Sequence, residues 1–140
     1  MRIRKLLAAA AVAGTVATAG LATAGSASAA VPNYDCSGTH EVCVYYNSSG
    51  AGYGAYFRQT GNISDYAGHY FSAGRNGSSG AGVSVKNNAA SVDSWYDGTF
   101  TVYYNSGTKN CSYACQNIPA WSTTDLNGAL KNNNAAGFFN

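Results

Sequence analysis

The stretch Val83–Thr108, VSVKNNAASVDSWYDGTFTVYYNSGT, contains the end of one structural unit and the start of a second. Within it, Val102-Tyr103-Tyr104-Asn105-Ser106-Gly107 repeats the earlier phrase Val44-Tyr45-Tyr46-Asn47-Ser48-Ser49-Gly50. Val85-Lys86-Asn87-Asn88-Ala89-Ala90 in turn recurs as Leu130-Lys131-Asn132-Asn133-Asn134-Ala135-Ala136. Two phrases that recur in the same order mark an internal duplication, with motif one at about 34–98 and motif two at about 99–140.

Working outward, the apolar pattern has a period of two. Val42, Val44 and Tyr46 share one face of an extended segment, and Cys43 and Tyr45 share the other. Phe100, Val102 and Tyr104 match the first set residue for residue, so the repeat keeps its inside/outside register. Ser48–Gly54 is a Gly-rich hairpin tip, and Ala55–Gln59 is its return strand. Ser64-Asp65 is placed to cap a helical turn carrying Tyr66, Tyr70 and Phe71, and Thr124-Asp125 to cap another. Ser72–Gly82 is a Gly/Ser-rich loop, and Asp97-Gly98 between aromatic runs signals a tight turn. No long segment carries a 3.6-residue pattern. The expectation is an all-β fold, with two packed sheets of Greek-key type.

The first residues read as an export signal. Arg2, Arg4 and Lys5 precede the apolar run Leu6–Val12, and Ala27-Ser28-Ala29 is a small-x-small cleavage site. Gly14, Gly20 and the many threonines make the run too polar for a membrane anchor. Residues 1–29 are therefore assigned as signal peptide and 30–140 as a single domain, secreted and extracellular. The leader's three cations account for the basic balance of the whole chain. Beyond it, Arg58, Arg75, Lys86, Lys109 and Lys131 face Asp35, Glu41, Asp65, Asp93, Asp97 and Asp125. No basic patch remains, which excludes nucleic acid and a charged membrane surface as partners.

A domain of about 110 residues has a modest core, and exported domains of this size often add covalent staples. Of the three ways to pair four cysteines, spacing favours the local ones, Cys36–Cys43 and Cys111–Cys115. Each ring stabilises by about 2 kcal/mol in the chain-entropy model. A four-thiolate zinc site is disfavoured by these spacings and by an oxidising compartment.

Catalytic signatures are missing. His40 lies inside the first cysteine ring and His69 between Gly68 and Tyr70; there is no H-E-x-x-H and no G-x-S-x-G. The carboxylates are scattered, with no pair at a defined separation. The chain is read as a non-enzyme, and its eleven tyrosines as strand-face and core residues with some contact surface.

At Ser91–Cys115, SVDSWYDGTFTVYYNSGTKNCSYAC, the chain resembles the Streptomyces-type metalloproteinase inhibitors. The segment Cys36-Ser37-Gly38 to Cys43-Val44-Tyr45, with the Gly-rich hairpin after it, extends the resemblance. That family implies a βγ-crystallin-like sandwich built from two related motifs. It also implies a secreted, monomeric inhibitor of thermolysin-type zinc peptidases that needs no cofactor. The family's reactive bond falls at Cys111–Ser112, so Cys111, Ser112, Tyr113, Ala114 and Cys115 become the expected reactive loop. The ring here holds three residues between its cysteines, and Ser112 is polar where thermolysin-type pockets prefer an apolar side chain. A ring that only ties off a loop is the competing reading.

The fold that the resemblance implies also accommodates other functions. Calcium-binding βγ-crystallins carry a pattern that Asn87-Asn88-Ala89-Ala90-Ser91 partly fits, with Asn133-Asn134-Ala135-Ala136-Gly137 as a degraded second copy. Without an acidic residue in either phrase, calcium at Asn87, Asn88 and Ser91 is at best weakly held. A non-inhibitory module that binds calcium or a cell-wall ligand, and a small secreted toxin, are the alternatives.

Overall fold

Alternating residues in Glu41–Tyr46 fold as strand β1 (Val42–Tyr45), and the return segment as β2 (Tyr56–Gln59), in a computed structural model that describes residues 34–140. The expected signal peptide, 1–29, lies outside the described residues. The remaining strands are β3 (Ser91–Ser94), β4 (Phe100–Tyr103), β5 (Cys115–Ile118), β6 (Thr123–Asp125) and β7 (Ala136–Phe139). They form two antiparallel sheets, ordered β2-β1-β3-β6 and β5-β4-β7. The all-β, two-sheet expectation therefore holds, and both local disulfides are present.

The two faces of β1 separate as the alternation requires. Val42 and Val44, with Val92 of β3, meet Phe100, Val102 and Ile118 of the other sheet in the main core. Cys43 and Tyr45 point the opposite way, into a smaller cluster with Cys36 and Tyr53. Tyr66, Phe71, Val85, Leu126 and Leu130 close the main core from the connecting segments. A buried polar link also crosses between the sheets. The Tyr66 hydroxyl donates to Gln59 Oε1 at 2.6 Å, and Gln59 Nε2 donates to the Gly137 carbonyl at 2.9 Å.

The duplication is visible in the pairing. β1 lies between β2 and β3, as β4 lies between β5 and β7. Val44 opposes Val92 in one sheet, and Val102 opposes Gly137 in the other. Each half then lends a piece to its neighbour's sheet: β6 pairs with β3, and Ile63 of the first half bridges Gly137 of β7. Such an exchange leaves neither half able to close its core alone.

At the two Lys-Asn-Asn phrases the halves interlock. Asn87 and Asn132 both adopt left-handed backbone, φ 63° and 61°, where Asn is better tolerated than most residues. The Asn87 N–H donates to the Asn134 carbonyl at 2.7 Å, and the Asn132 N–H donates to the Ala89 carbonyl at 2.8 Å. These equivalences pair Asn87 with Asn132, so the second copy of the phrase begins one residue earlier than the expected Asn133-Asn134. Asn134 stands where the first half has Ala89. Its buried amide fills the extra space by accepting from the Ala89 N–H and donating to the Val85 carbonyl, each at 2.9 Å.

Three local expectations are corrected. Ser64-Asp65 starts no helical turn; Asp65 Oδ1 accepts the Ala67 N–H at 2.9 Å, an Asx turn that uses the same side chain differently. Thr124-Asp125 is inside β6, held by pairing with β3, and Asn127 caps the turn that follows by accepting from Ala129 and Leu130. Asp97-Gly98 forms a bend rather than the expected tight turn, and it carries the chain from β3 in one sheet to β4 in the other.

Replacing Asn134 by Ala leaves the Ala89 N–H and the Val85 carbonyl without partners in the interior. Chemical denaturation is expected to show a loss of about 1–3 kcal/mol for Asn134→Ala, against under about 0.5 kcal/mol for the exposed Asn133→Ala.

Candidate functional site

The link from β4 to β5 is tied down at both ends and free at its tip. At the start, the Tyr104 N–H donates to the Ala114 carbonyl at 3.1 Å, and the Gly107 N–H to the Ser64 carbonyl at 2.7 Å. Lys109 Nζ reaches Asn140 Oδ1 and lies 5.8 Å from the Phe138 ring centroid. Cys111–Cys115 closes the far end, with Cα atoms 5.1 Å apart. Inside the ring, the Asn110 side chain accepts the Ser112 N–H at 2.8 Å and sets the turn. Cys111, Ser112 and Tyr113 are exposed, whereas Ala114 and Cys115 are half-buried as the chain enters β5. Tyr113 leans on Tyr104, centroids 4.2 Å apart, yet keeps 71% of its surface in solvent. The structure thus brings all five expected loop residues into one covalently closed protrusion.

The other expected residues lie apart from it. Asn87 and Asn88 form an exposed to half-buried turn, with Asn88 Nδ2 donating to the Lys86 carbonyl at 2.9 Å. Ser91 is buried, and its hydroxyl donates to the Asn47 carbonyl at 2.7 Å. Lys86 pairs with Asp65 at 2.8 Å, and Lys131 lines a cleft beside Asn132. Among the described residues, no three His, Cys, Asp or Glu side chains converge.

The two disulfides are not equivalent between the halves. Cys36–Cys43 fastens the N-terminal segment to the outer face of β1 rather than pinning a hairpin. Within that ring, Glu41 is buried and accepts the Ser37 and Gly38 N–H groups at 2.6 and 2.5 Å while pairing with Arg58. Burial alone would raise its carboxyl pKa. The two backbone donors and the Arg58 guanidinium outweigh burial and hold it below the ordinary value of 4.5. His40 is exposed and stacks on Phe139, 5.0 Å between centroids, while His69 sits 5.1 Å from the Phe57 ring.

A second feature is not apparent from the sequence alone. Tyr34, Trp95 and Trp121 line a cleft of about 180 Å³ with Asp93, Ser94 and Thr123. The local signal was Asp93-x-Trp95, two side chains on one face of an extended segment. Trp121 and Tyr34 reach them only through tertiary placement.

Neither a protein-family model nor a curated protein sequence matches the chain. A solved structure from work on the evolution of the eye-lens βγ-crystallin domain fold is similar at 14% identity and a TM-score of 0.49. The match covers 74% of this chain and 90% of that one. The class of this protein follows from its own pairings: a disulfide-stapled, duplicated two-sheet β domain with one closed loop projecting from it. Two disulfides suit an oxidising compartment.

Because the Glu41 pKa is lowered on folding, its contribution to stability is complete above the unfolded value and is lost as pH falls through the folded one. Denaturation midpoints of the wild type should decline as pH drops below 4.5. Glu41→Gln should lower stability at neutral pH and flatten that acid limb.

Proposed function

We propose that the protein is an exported peptidase inhibitor, with thermolysin-type zinc enzymes as its targets, and that the Cys111–Cys115 ring is the element it offers to the cleft. The observation that carries this reading is Tyr113, an aromatic side chain 71% exposed at the tip of a covalently closed loop. Its one ring contact, with Tyr104, leaves most of the side chain in solvent, in the form of the aromatic anchors that dominate interfaces.

The surrounding geometry favours inhibition over rapid turnover. A segment held by the disulfide, the Asn110 turn and the Tyr104–Ala114 hydrogen bond loses little conformational entropy when bound. Cleavage at Cys111–Ser112 leaves both new ends joined through the disulfide. Resealing is then intramolecular, with the entropic advantage that follows. Ser112 does not fill an apolar pocket well, so Tyr113 supplies the apolar contact beside it. Export is supported by the leader at residues 1–29 and by the two disulfides.

The intact chain, with both disulfides verified by mass mapping, should inhibit at least one member of a zinc-peptidase panel at micromolar concentration. Tyr113→Ala should weaken inhibition by about 10-fold or more. The double substitution Cys111→Ser, Cys115→Ser should turn the loop into an ordinary substrate, cut without resealing. No inhibition across the panel overturns the proposal, and so does inhibition indifferent to both changes.

A further inference from the structure

The outer face of the four-stranded sheet carries the cleft between β3 and β6 that peptidase inhibition leaves unused. We propose that it binds an alkylated ammonium group, a compact organic cation such as a quaternary ammonium head. Its walls are aromatic and meet at steep angles. The Tyr34 and Trp95 rings are 4.9 Å apart at 87°, and Trp95 and Trp121 are 6.3 Å apart at 78°. Steeply crossed rings make a corner rather than a flat platform, and their faces carry the negative side of the ring quadrupole.

The charge in the cleft has the matching sign. Asp93 lines it and is only 3% exposed. Its Oδ2 accepts Trp95 Nε1–H at 2.8 Å and its Oδ1 accepts the Thr123 hydroxyl at 2.7 Å. Both donors are neutral groups, so neither is a counter-ion. The ion pairs among the described residues are Arg58–Glu41 and Lys86–Asp65, and neither involves Asp93. A bound cation would supply the opposite charge that no side chain among the described residues brings to Asp93.

Size and polarity narrow the ligand. At about 180 Å³ the cleft is smaller than the roughly 300–1,000 Å³ sites that enclose a drug-sized molecule, so it admits one head group. An alkylated ammonium presents C–H surface to ring faces and needs no hydrogen-bond acceptor. A sugar draws on several polar groups around its rim, and here two of the donors, the Trp95 N–H and the Thr123 hydroxyl, are already engaged by Asp93. Trp121 is held at φ 52°, a region that bulky side chains avoid, and its ring forms the outer wall.

The chain has two tryptophans and both line the cleft, so intrinsic emission reports its occupancy directly. The intact, disulfide-bonded protein is titrated at constant ionic strength with choline, tetramethylammonium and 3,3-dimethyl-1-butanol, the uncharged carbon counterpart of choline. Both cations should give a saturable change and the alcohol none. Asp93→Asn should weaken choline at least about tenfold. Trp121→Gly should abolish the response of Trp95 without lowering the thermal midpoint, because Gly accepts that φ freely. The proposal fails if choline and its neutral counterpart behave alike, or if neither cation saturates below about 100 mM. It also fails if a monosaccharide shifts the emission where the cations do not.

Discussion

Asn87 and Asn132 each hold a left-handed backbone, and each sends its N–H across to a carbonyl of the opposite turn. This reciprocal pair is where the two halves are fastened together. It sets where β3 and β7 begin, since Ala90 then donates to the Tyr45 carbonyl and Ala135 to the Tyr103 carbonyl, one link into each sheet. The strand exchange follows from the same frame: Leu126 donates to Ala90, and Tyr66 donates to Ala135. Each half on its own is a small sheet with an apolar face and nothing to cover it, which is marginal in water. The interlock makes one core out of two halves, and the buried Asn134 amide fills the space that an exact repeat would leave empty.

Function is best sought where this symmetry breaks. The link between β1 and β2 folds against the body, with the Ser49 N–H and hydroxyl on Asp125 and Tyr53 buried against Tyr45. Its counterpart between β4 and β5 projects and is closed by a disulfide instead. On the sheet faces, Asp93 opposes Cys43 whereas its counterpart Phe138 opposes Thr101, so the charged aromatic cleft exists in one half alone. A duplicated fold needs neither the projecting loop nor the cleft to close its main core. Both place aromatic surface in solvent.

The frame was legible because its signal is local. Val42, Val44, Phe100 and Val102 alternate along their segments and supply the side that faces the main core, and the repeated phrases fall at equivalent turns. The disulfides were legible from spacing. The crossing of β6 and Ile63 between halves was not, since a three-residue strand and a single bridge carry no apolar period. Asp65 and Thr124-Asp125 misled for a related reason: the same short polar side chains serve Asx turns, edge strands and helix caps, and only tertiary pairing decides among them. The closed loop could be placed in advance because both its cysteines are near in sequence. The cleft could not, because Tyr34, Asp93 and Trp121 are distant until the sheet assembles.

Backbone strain separates the structural positions from the others. Four non-glycine residues among those described hold positive φ: Tyr53, Asn87, Trp121 and Asn132. The two asparagines bear it at modest cost and return a hydrogen bond across the interlock. Tyr53 is a bulky exception, but it is buried within the second cluster, 5.3 Å from the Tyr45 ring, and the burial of a whole aromatic side chain offsets a cost of that size. Trp121 is compensated less fully. It is 55% exposed, its nearest ring contact is an edge-on approach to Trp95, and its N–H makes a long 3.3 Å bond to the Tyr96 carbonyl. The folded state gains less from Trp121 than from Tyr53, at a φ where glycine would be less strained. A ligand on its outer face, as proposed for the cleft, would add the burial that Trp121 lacks in the folded chain alone.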